Sequence, residues 1–428
     1  MSDDASMAAS ESMQGVPIVS LREGMQLPFD IFESNGLLLL KRGSVITPRF
    51  VANLQDRGHT QAFIKNQDLK KLIPQARASS VGARVNMETD QTRELDGIEF
   101  EDSIPDGKAL IENFKPRPCA PYDTEMLNQL MSERDKDVRD LSSQLTELVE
   151  GSNEMPGRSI EKMTTTYIWH LCQDLDATLS VSQVPRKDDY LANHSLQMSV
   201  MGMALAAQLG MPEEEVRVTG IAGLLHDIGM SKVPKSILEA TGSLDLNARL
   251  EIMRHPIHTL NLTEKVLGVP SRCRLIVYQV HERNNGRGYP RQRTGNKTYV
   301  AAKVLGIVDA YLAMINDRPY RNALLPYHAM EQILREAKEG LWDAKIVRAF
   351  VSLVGLFPIG SFVMLSDESL AKVIRSGGQE FGKPQVTITH NPYGVRQETN
   401  QVIDLAKEPP TGLKVLKAIP PLFDFDSE

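Results

Sequence analysis

The chain has 428 residues, 41% of them apolar and 24% charged, which is enough for two or three packed domains and excludes a wholly disordered protein. Its 48 basic and 55 acidic residues leave a net charge of −7, so there is no general footprint for polymeric nucleic acid, and a small anionic ligand would need a local basic site. Three widely spaced cysteines, Cys119, Cys172 and Cys273, make neither a disulfide framework nor a zinc pattern, which fits a reducing compartment. Residues 1–14 are acidic and rich in Ser, Ala and Met, without the basic start and apolar run of a signal peptide. No stretch is long enough to span a bilayer, and a soluble, cytoplasmic protein is expected.

Residues 15–72 read as a small, mainly β domain. Val16 to Ser20 and Gly24 to Phe32 are strand-like, Asn35-Gly36 between apolar runs signals a hairpin, and Leu37 to Leu40 continues it. A short helix from Pro48 to Asp56 and a last strand from Thr60 to Lys65 complete the domain. It carries no cluster of His, Cys or acids, so a regulatory or docking role, with a partner bound there, is expected over catalysis; a plain structural cap is the alternative. Residues 73–122 mix charge, Ser, Gly and Pro and read as linker. A helical connector covers 123–185. In it Leu127, Leu130, Val138, Leu141, Leu145 and Leu148 form a seam that wants a partner, either a neighbouring helix of the same chain or a second copy in a homodimer.

The catalytic region is expected at 186–357. At the end of the apolar run Gly220 to Leu225 stand His226 and Asp227, and an unpaired carboxylate in such a setting would cost several kcal/mol. A metal ion answers that cost; a His-Asp pair capping the helix before Gly229 is the alternative. His194 shares a helical face with Leu191, Met198, Met201 and Leu205. His255 follows Ile252 and Met253, His281 follows the run Leu275 to Val280, and Asp309 interrupts the helix Val304 to Leu312. Each singly is more often a satisfied core residue than a ligand. Together the six supply two adjoining sites: His194, His226, Asp227 and Asp309 around one metal, with Asp227 bridging to His255 and His281 around the other.

His226-Asp227 and the run from His281 through Gly286, Gly288, Tyr289 and Pro290 resemble the HD-GYP domains, bacterial metal-dependent phosphodiesterases of the HD superfamily that hydrolyse cyclic di-GMP. The resemblance extends from near Asp188 to Phe357 and includes His194-Ser195, Arg254-His255-Pro256 and Asp309 to Arg321. It implies an all-α HD-type helical bundle, so the whole is expected to be a multidomain, mainly α protein with a small N-terminal β domain. Residues 15–72 likewise resemble the module that often precedes such domains. Implied cofactors are two divalent transition-metal ions, iron or manganese. His226 and Asp227 would sit at the centre of catalysis, where the two cations share a bridging water aimed at phosphorus. Arg318, Arg321, Arg287 and Tyr289 would meet the substrate, and the product would be pGpG or GMP.

The departures are specific. Met230 stands where the family carries a lysine thought to hold the substrate phosphate, and Lys232 is two residues away on a different side. Val280 replaces the first His of a His-His-Glu triplet, and Tyr190 stands where an acid often precedes the first histidine, which argues for two metals rather than three. Asn285 replaces an Asp and keeps the turn chemistry. The loss at Met230 leaves a second possibility, a receptor that binds cyclic di-GMP with slow or no turnover. A dimeric scaffold signalling through the leucine seam is the third. Residues 358–428 are expected to form a small β appendage: a hairpin at 361–366 and 369–376, then strands at Gln385 to His390 and Gln401 to Leu405 about the turn Asn391 to Gly394.

Overall fold

A computed structural model describes residues 13–17, 27, 30–33, 36–47, 49–50, 54, 61–65, 87, 89–100, 104–151, 155–184, 186, 189–240, 244–316, 323–397, 401–407 and 412–420. The chain divides into two units, residues 1–82 and 83–428. In the first, β1 (Met13–Pro17), β2 (Ile31–Phe32), β3 (Leu38–Leu40) and β4 (Gln61–Lys65) form an antiparallel sheet in the order β1-β4-β2-β3. Leu27, Ile31, Ile46, Leu54, Ala62 and Ile64 make its core. Most of the helix expected from Pro48 to Asp56 lies outside the described residues.

The second unit begins with α1 (Asp90–Asp96), capped by a reciprocal pair of hydrogen bonds between Thr89 and Thr92. A 3-10 turn (Leu110–Asn113) leads to α2 (Thr124–Glu150), whose first turn is capped by the Asp123 carboxylate. The helices α3 (Gly157–Gln173), α4 (Leu175–Ser182), α5 (Tyr190–Gln208) and α6 (Glu213–Leu225) follow. A two-residue parallel pair, β5 (Met155–Pro156) with β6 (Val266–Leu267), ties the start of α3 to the middle of the bundle. Short α7 (Lys235–Leu238) and α8 (Leu246–Ile252) precede α9 (His255–Thr263) and α10 (Ser271–Gln279). The bundle closes with α11 (Val300–Ile315), α12 (Pro326–Lys338) and α13 (Ala344–Val354). Residues 192–207 of α5 are buried on every side, apolar or small except for Asn193, His194 and Gln197, and α5 is the axis on which α2, α6 and α11 pack.

The structure settles the seam. Leu130, Val138, Leu141, Leu145 and Leu148 are buried within the chain, with α2 laid against α4 and α5. The periodicity reported a buried face and could not say what covers it; the cover is the same polypeptide, so the seam gives no reason for a homodimer. Leu141→Ala should therefore destabilise folding by about 2–5 kcal/mol, the usual cost of emptying a filled core position. Urea unfolding would show the loss, with no change in the mass of the folded protein by light scattering.

The stretch read as linker is also ordered where described. Leu110 enters the main core, Arg117 pairs with the buried Asp176 at 2.9 Å, and Asp96 on α1 binds two arginines of the bundle. After the bundle, β7 (Phe362–Leu365), β8 (Leu370–Arg375), β9 (Gln385–His390), β10 (Val402–Asp404) and β11 (Val415–Ile419) form an antiparallel sheet ordered β10-β9-β8-β7-β11. Strand β11, unforeseen in the sequence, closes its edge beside β7. Arg375 anchors this sheet to the helices, gripping Asp174 at 2.8 and 2.9 Å while its guanidinium lies 4.4 Å over the Tyr122 ring.

Candidate metal centre

Close backbone approach builds the site. A Cβ on Gly223 would fall 2.8 Å from the Ser199 backbone, so α6 lies directly on α5. That contact brings His226, three residues on, within 5.3 Å of His194, ring centroid to ring centroid. The helix then gives way at Asp227 to a 3-10 turn (Ile228–Lys232). A Cβ on Gly229 would stand 2.2 Å from the His255 carbonyl oxygen, so only glycine lets this turn meet the start of α9. The buried Thr259 hydroxyl pins the junction, accepting from the Gly229 amide and donating to the His226 carbonyl, each at 3.0 Å. Gly229→Ala should cost about 1–3 kcal/mol through overpacking. It should also move His255 away from Asp227, a change readable as weakened metal binding in equilibrium dialysis.

The six residues singled out in the sequence converge. His194, His226 and Asp309 form one group and Asp227, His255 and His281 another; within each, the candidate ligand atoms all lie within 4.8 Å of one another. Asp227 sits between the groups, with Oδ2 3.5 Å from His226 Nε2 and Oδ1 3.2 Å from His255 Nε2. His281 also faces both: Nε2 lies 3.7 Å from Asp227 Oδ1, and Nδ1 lies 3.4 Å from Asp309 Oδ2. His194 Nε2 is 3.6 Å from Asp309 Oδ1.

The donor set suits a cation. Nδ1 of His226 donates to the Gly223 carbonyl at 2.9 Å and Nδ1 of His255 to the Ile252 carbonyl at 2.7 Å, assignments that leave each Nε2 lone pair directed inward. His226 Nε2 and both ring nitrogens of His194 are buried with no hydrogen-bond partner among the described residues, a costly state that a cation taking one lone pair from each ring would relieve. His255 Nε2 and His281 Nε2 face each other at 2.8 Å and need a shared proton or a metal between them.

Electrostatics run the same way. Burial pushes the His226 imidazole down to about 4, keeping it neutral near pH 7. Burial would raise the Asp227 carboxyl, but the surrounding His226, His255 and His281 hold it well below the usual carboxylate range. Asp309 is held low against burial by His194 and His281. The His281 imidazole is lowered by burial yet ends above its ordinary value, because Asp227 and Asp309 flank it.

Around this centre, Tyr289 stacks on His281 at 4.9 Å, and its amide donates to the His281 carbonyl at 3.1 Å, closing the loop. Tyr190, standing where HD-GYP domains often carry an acid, is 45% exposed and stacks on His194 at 6.0 Å. Arg287 is exposed at the loop tip, and Asn285 Oδ1 accepts from the Arg287 amide at 3.1 Å, the turn role foreseen for it. Met230 is partly exposed on the 3-10 turn, whereas Lys232 Nζ reaches the Val149 carbonyl at the end of α2. Arg318 and Arg321 lie outside the described residues. Sequence reasoning missed Thr259, one turn after His255, and Glu282, whose buried carboxylate accepts from the Arg291 and Arg293 amides at 2.7 and 2.8 Å.

Among known proteins, the HD domain family matches residues 183–346. A Pseudomonas aeruginosa protein named cyclic di-GMP phosphodiesterase is 32% identical over 233 residues, covering 54% of this chain and 56% of that protein. A Vibrio cholerae protein named 3'3'-cGAMP-specific phosphodiesterase is 29% identical over 175 residues, covering 41% of this chain and 40% of that protein. A Xanthomonas campestris response regulator named cyclic di-GMP phosphodiesterase is 31% identical over 159 residues, covering 36% and 41%. The chain thus spans about half, or less, of the length of these curated relatives. A solved structure of an HD-GYP-type protein of Bdellovibrio bacteriovorus aligns over 79% of this chain and 98% of its own, with 17% identity and a TM-score of 0.38.

Proposed function

We propose, from the match of residues 183–346 to the HD domain family, that the chain is a metal-dependent phosphodiesterase that hydrolyses cyclic di-GMP to pGpG or GMP. The observation that carries this is the convergence of six His and Asp side chains into two adjoining groups, the first with His194 and His226 nitrogens that have no hydrogen-bond partner among the described residues, the second with His255 Nε2 facing His281 Nε2. His194, His226 and Asp309 would hold one divalent transition-metal ion and Asp227, His255 and His281 a second, with Asp227 between them; mixed imidazole and carboxylate donors suit iron or manganese. When bound, the metals supply positive charge to the phosphoryl oxygens and acidify the attacking water. The chain's own residues do the rest by placement. His226 stays neutral and available as a ligand at pH 7, and Asp227 and Asp309 stay ionised. Tyr289 walls one side of the site and offers a face to a purine. Arg287, Arg318 and Arg321 would meet phosphate oxygens or a guanine edge.

Relatives are named for cyclic di-GMP and for 3'3'-cGAMP, so both belong in the assay. Protein reconstituted with iron or manganese should convert cyclic di-GMP to pGpG or GMP, faster than it converts 3'3'-cGAMP, and chelation should stop it. Absence of product from either dinucleotide, with metal bound, would refute the proposal. Met230 favours a second reading, a cyclic di-GMP receptor with little or no turnover. The scaffold reading loses its support with the burial of the leucine seam. No helix among the described residues is long and apolar enough to cross a membrane, and action in the cytoplasm, under a regulatory partner at the N-terminal unit, completes the proposal.

A further inference from the structure

The loop that carries Tyr289 is held from two sides by carboxylates. From within, Glu282 accepts from the backbone amides of Arg291 and Arg293, fixing a turn whose middle residue, Gln292, has a φ of 59°, a conformation a non-glycine residue adopts only when held. From without, Asp96 at the end of α1 takes both arginine side chains. Its Oδ2 accepts from Arg291 Nε at 2.8 Å, and its Oδ1 accepts from Arg293 Nη2 at 2.7 Å and from the Tyr278 hydroxyl at 3.0 Å. The same helix and its approach add backbone acceptors: the Met87 carbonyl for Arg291 and the Leu95 carbonyl for Arg293. Met87, Leu95 and Tyr289 pack on one small apolar cluster of Met253, Ile257, Leu260 and Tyr278. Asp96 therefore lies about 190 residues from the loop in sequence and in direct contact with it in space.

We propose that Asp96 is a positioning residue: through Arg291 and Arg293 it sets the loop so that Tyr289 lies flat on His281, and displacement of α1 would lower substrate affinity without emptying the metal groups. The inference rests on the proposed phosphodiesterase function and deepens it, since it assigns control of the substrate-facing wall to a segment outside residues 183–346. Asp96 is partly exposed, whereas Arg291 and Arg293 are largely buried, so removing the carboxylate also strands two guanidinium groups, and the comparison of two substrates with metal content separates that stability cost from the geometric effect. The two arginines, sharing one carboxylate, have a single arrangement that satisfies both.

The test compares Asp96→Ala and Asp96→Asn with wild type in the full chain. Two substrates are used: cyclic di-GMP, which needs the wall, and bis(4-nitrophenyl) phosphate, a small diester that needs only the metals. Expected are a fall of roughly 10–100-fold in kcat/KM for the dinucleotide, carried mainly by KM, a change of less than about twofold for the small diester, and faster amide hydrogen exchange across residues 286–293. Asp96→Glu, which keeps the charge, should recover most of the loss. Equal losses on both substrates, or loss of bound metal, would reduce Asp96 to general structural support and overturn the proposal. Wild-type exchange in the loop of Asp96→Ala would overturn it as well. Should wild type hydrolyse neither substrate, the phosphodiesterase reading fails by itself, and the exchange measurement still decides whether Asp96 holds the loop.

Discussion

Asp227→Ala should strip most metal from the purified protein and lower hydrolysis of cyclic di-GMP on the order of 10³-fold or more. The expectation comes from position. One carboxylate oxygen faces His226 in the first group and the other faces His255 in the second, so removing this side chain takes a ligand from between both sites. The loss of charge compounds the loss of a ligand, since the centre would keep four imidazoles and only one carboxylate, Asp309, to neutralise two divalent cations. His226→Ala should act similarly, because its Nε2 has no hydrogen-bond partner among the described residues and faces Asp227 in the same space. Metal analysis checks both variants, with circular dichroism as the control for folding. Full metal content in either variant would mean that the two groups are not the metal centre.

Met230→Lys should raise turnover of cyclic di-GMP by roughly 10²–10³-fold, the scale of one preorganised charge beside the reacting phosphate. Met230 sits three residues after Asp227 on the 3-10 turn and is partly exposed, so a longer cationic side chain fits there without displacing core. The neighbouring Lys232 does not fill that role, because its ammonium is engaged at the carbonyl end of α2. Steady-state kinetics with metal content measured alongside would separate a gain in chemistry from a gain in occupancy. No gain at equal occupancy would mean that position 230 does not face the substrate phosphate.

The ligand-bearing helices were legible because buried helices declare themselves through apolar periodicity, and a His-Asp pair at the end of such a run has few uses apart from a cation. What was hidden has a common cause. Asp96 binds arginines about 190 residues away, and ion pairs at that separation leave no periodic trace; the polar composition of residues 73–122 therefore looked like linker. Thr259 and Glu282 act on backbone amides and carbonyls, partners that no side-chain pattern records. The seam on α2 showed its apolar face but not the surface that covers it, and α4 and α5 proved to be that surface. Strand β11 is five residues long and pairs with β7, about 50 residues earlier, so only the completed sheet marks it as a strand.

Single-turnover hydrolysis separates a working phosphodiesterase centre at the two His/Asp groups from a site that only binds. Wild-type protein loaded with iron or manganese, in excess over cyclic di-GMP, should convert all of the dinucleotide to pGpG or GMP, while Asp227→Ala converts none on the same timescale. Bound but intact cyclic di-GMP with both metals in turn would contradict the account and leave a receptor in its place.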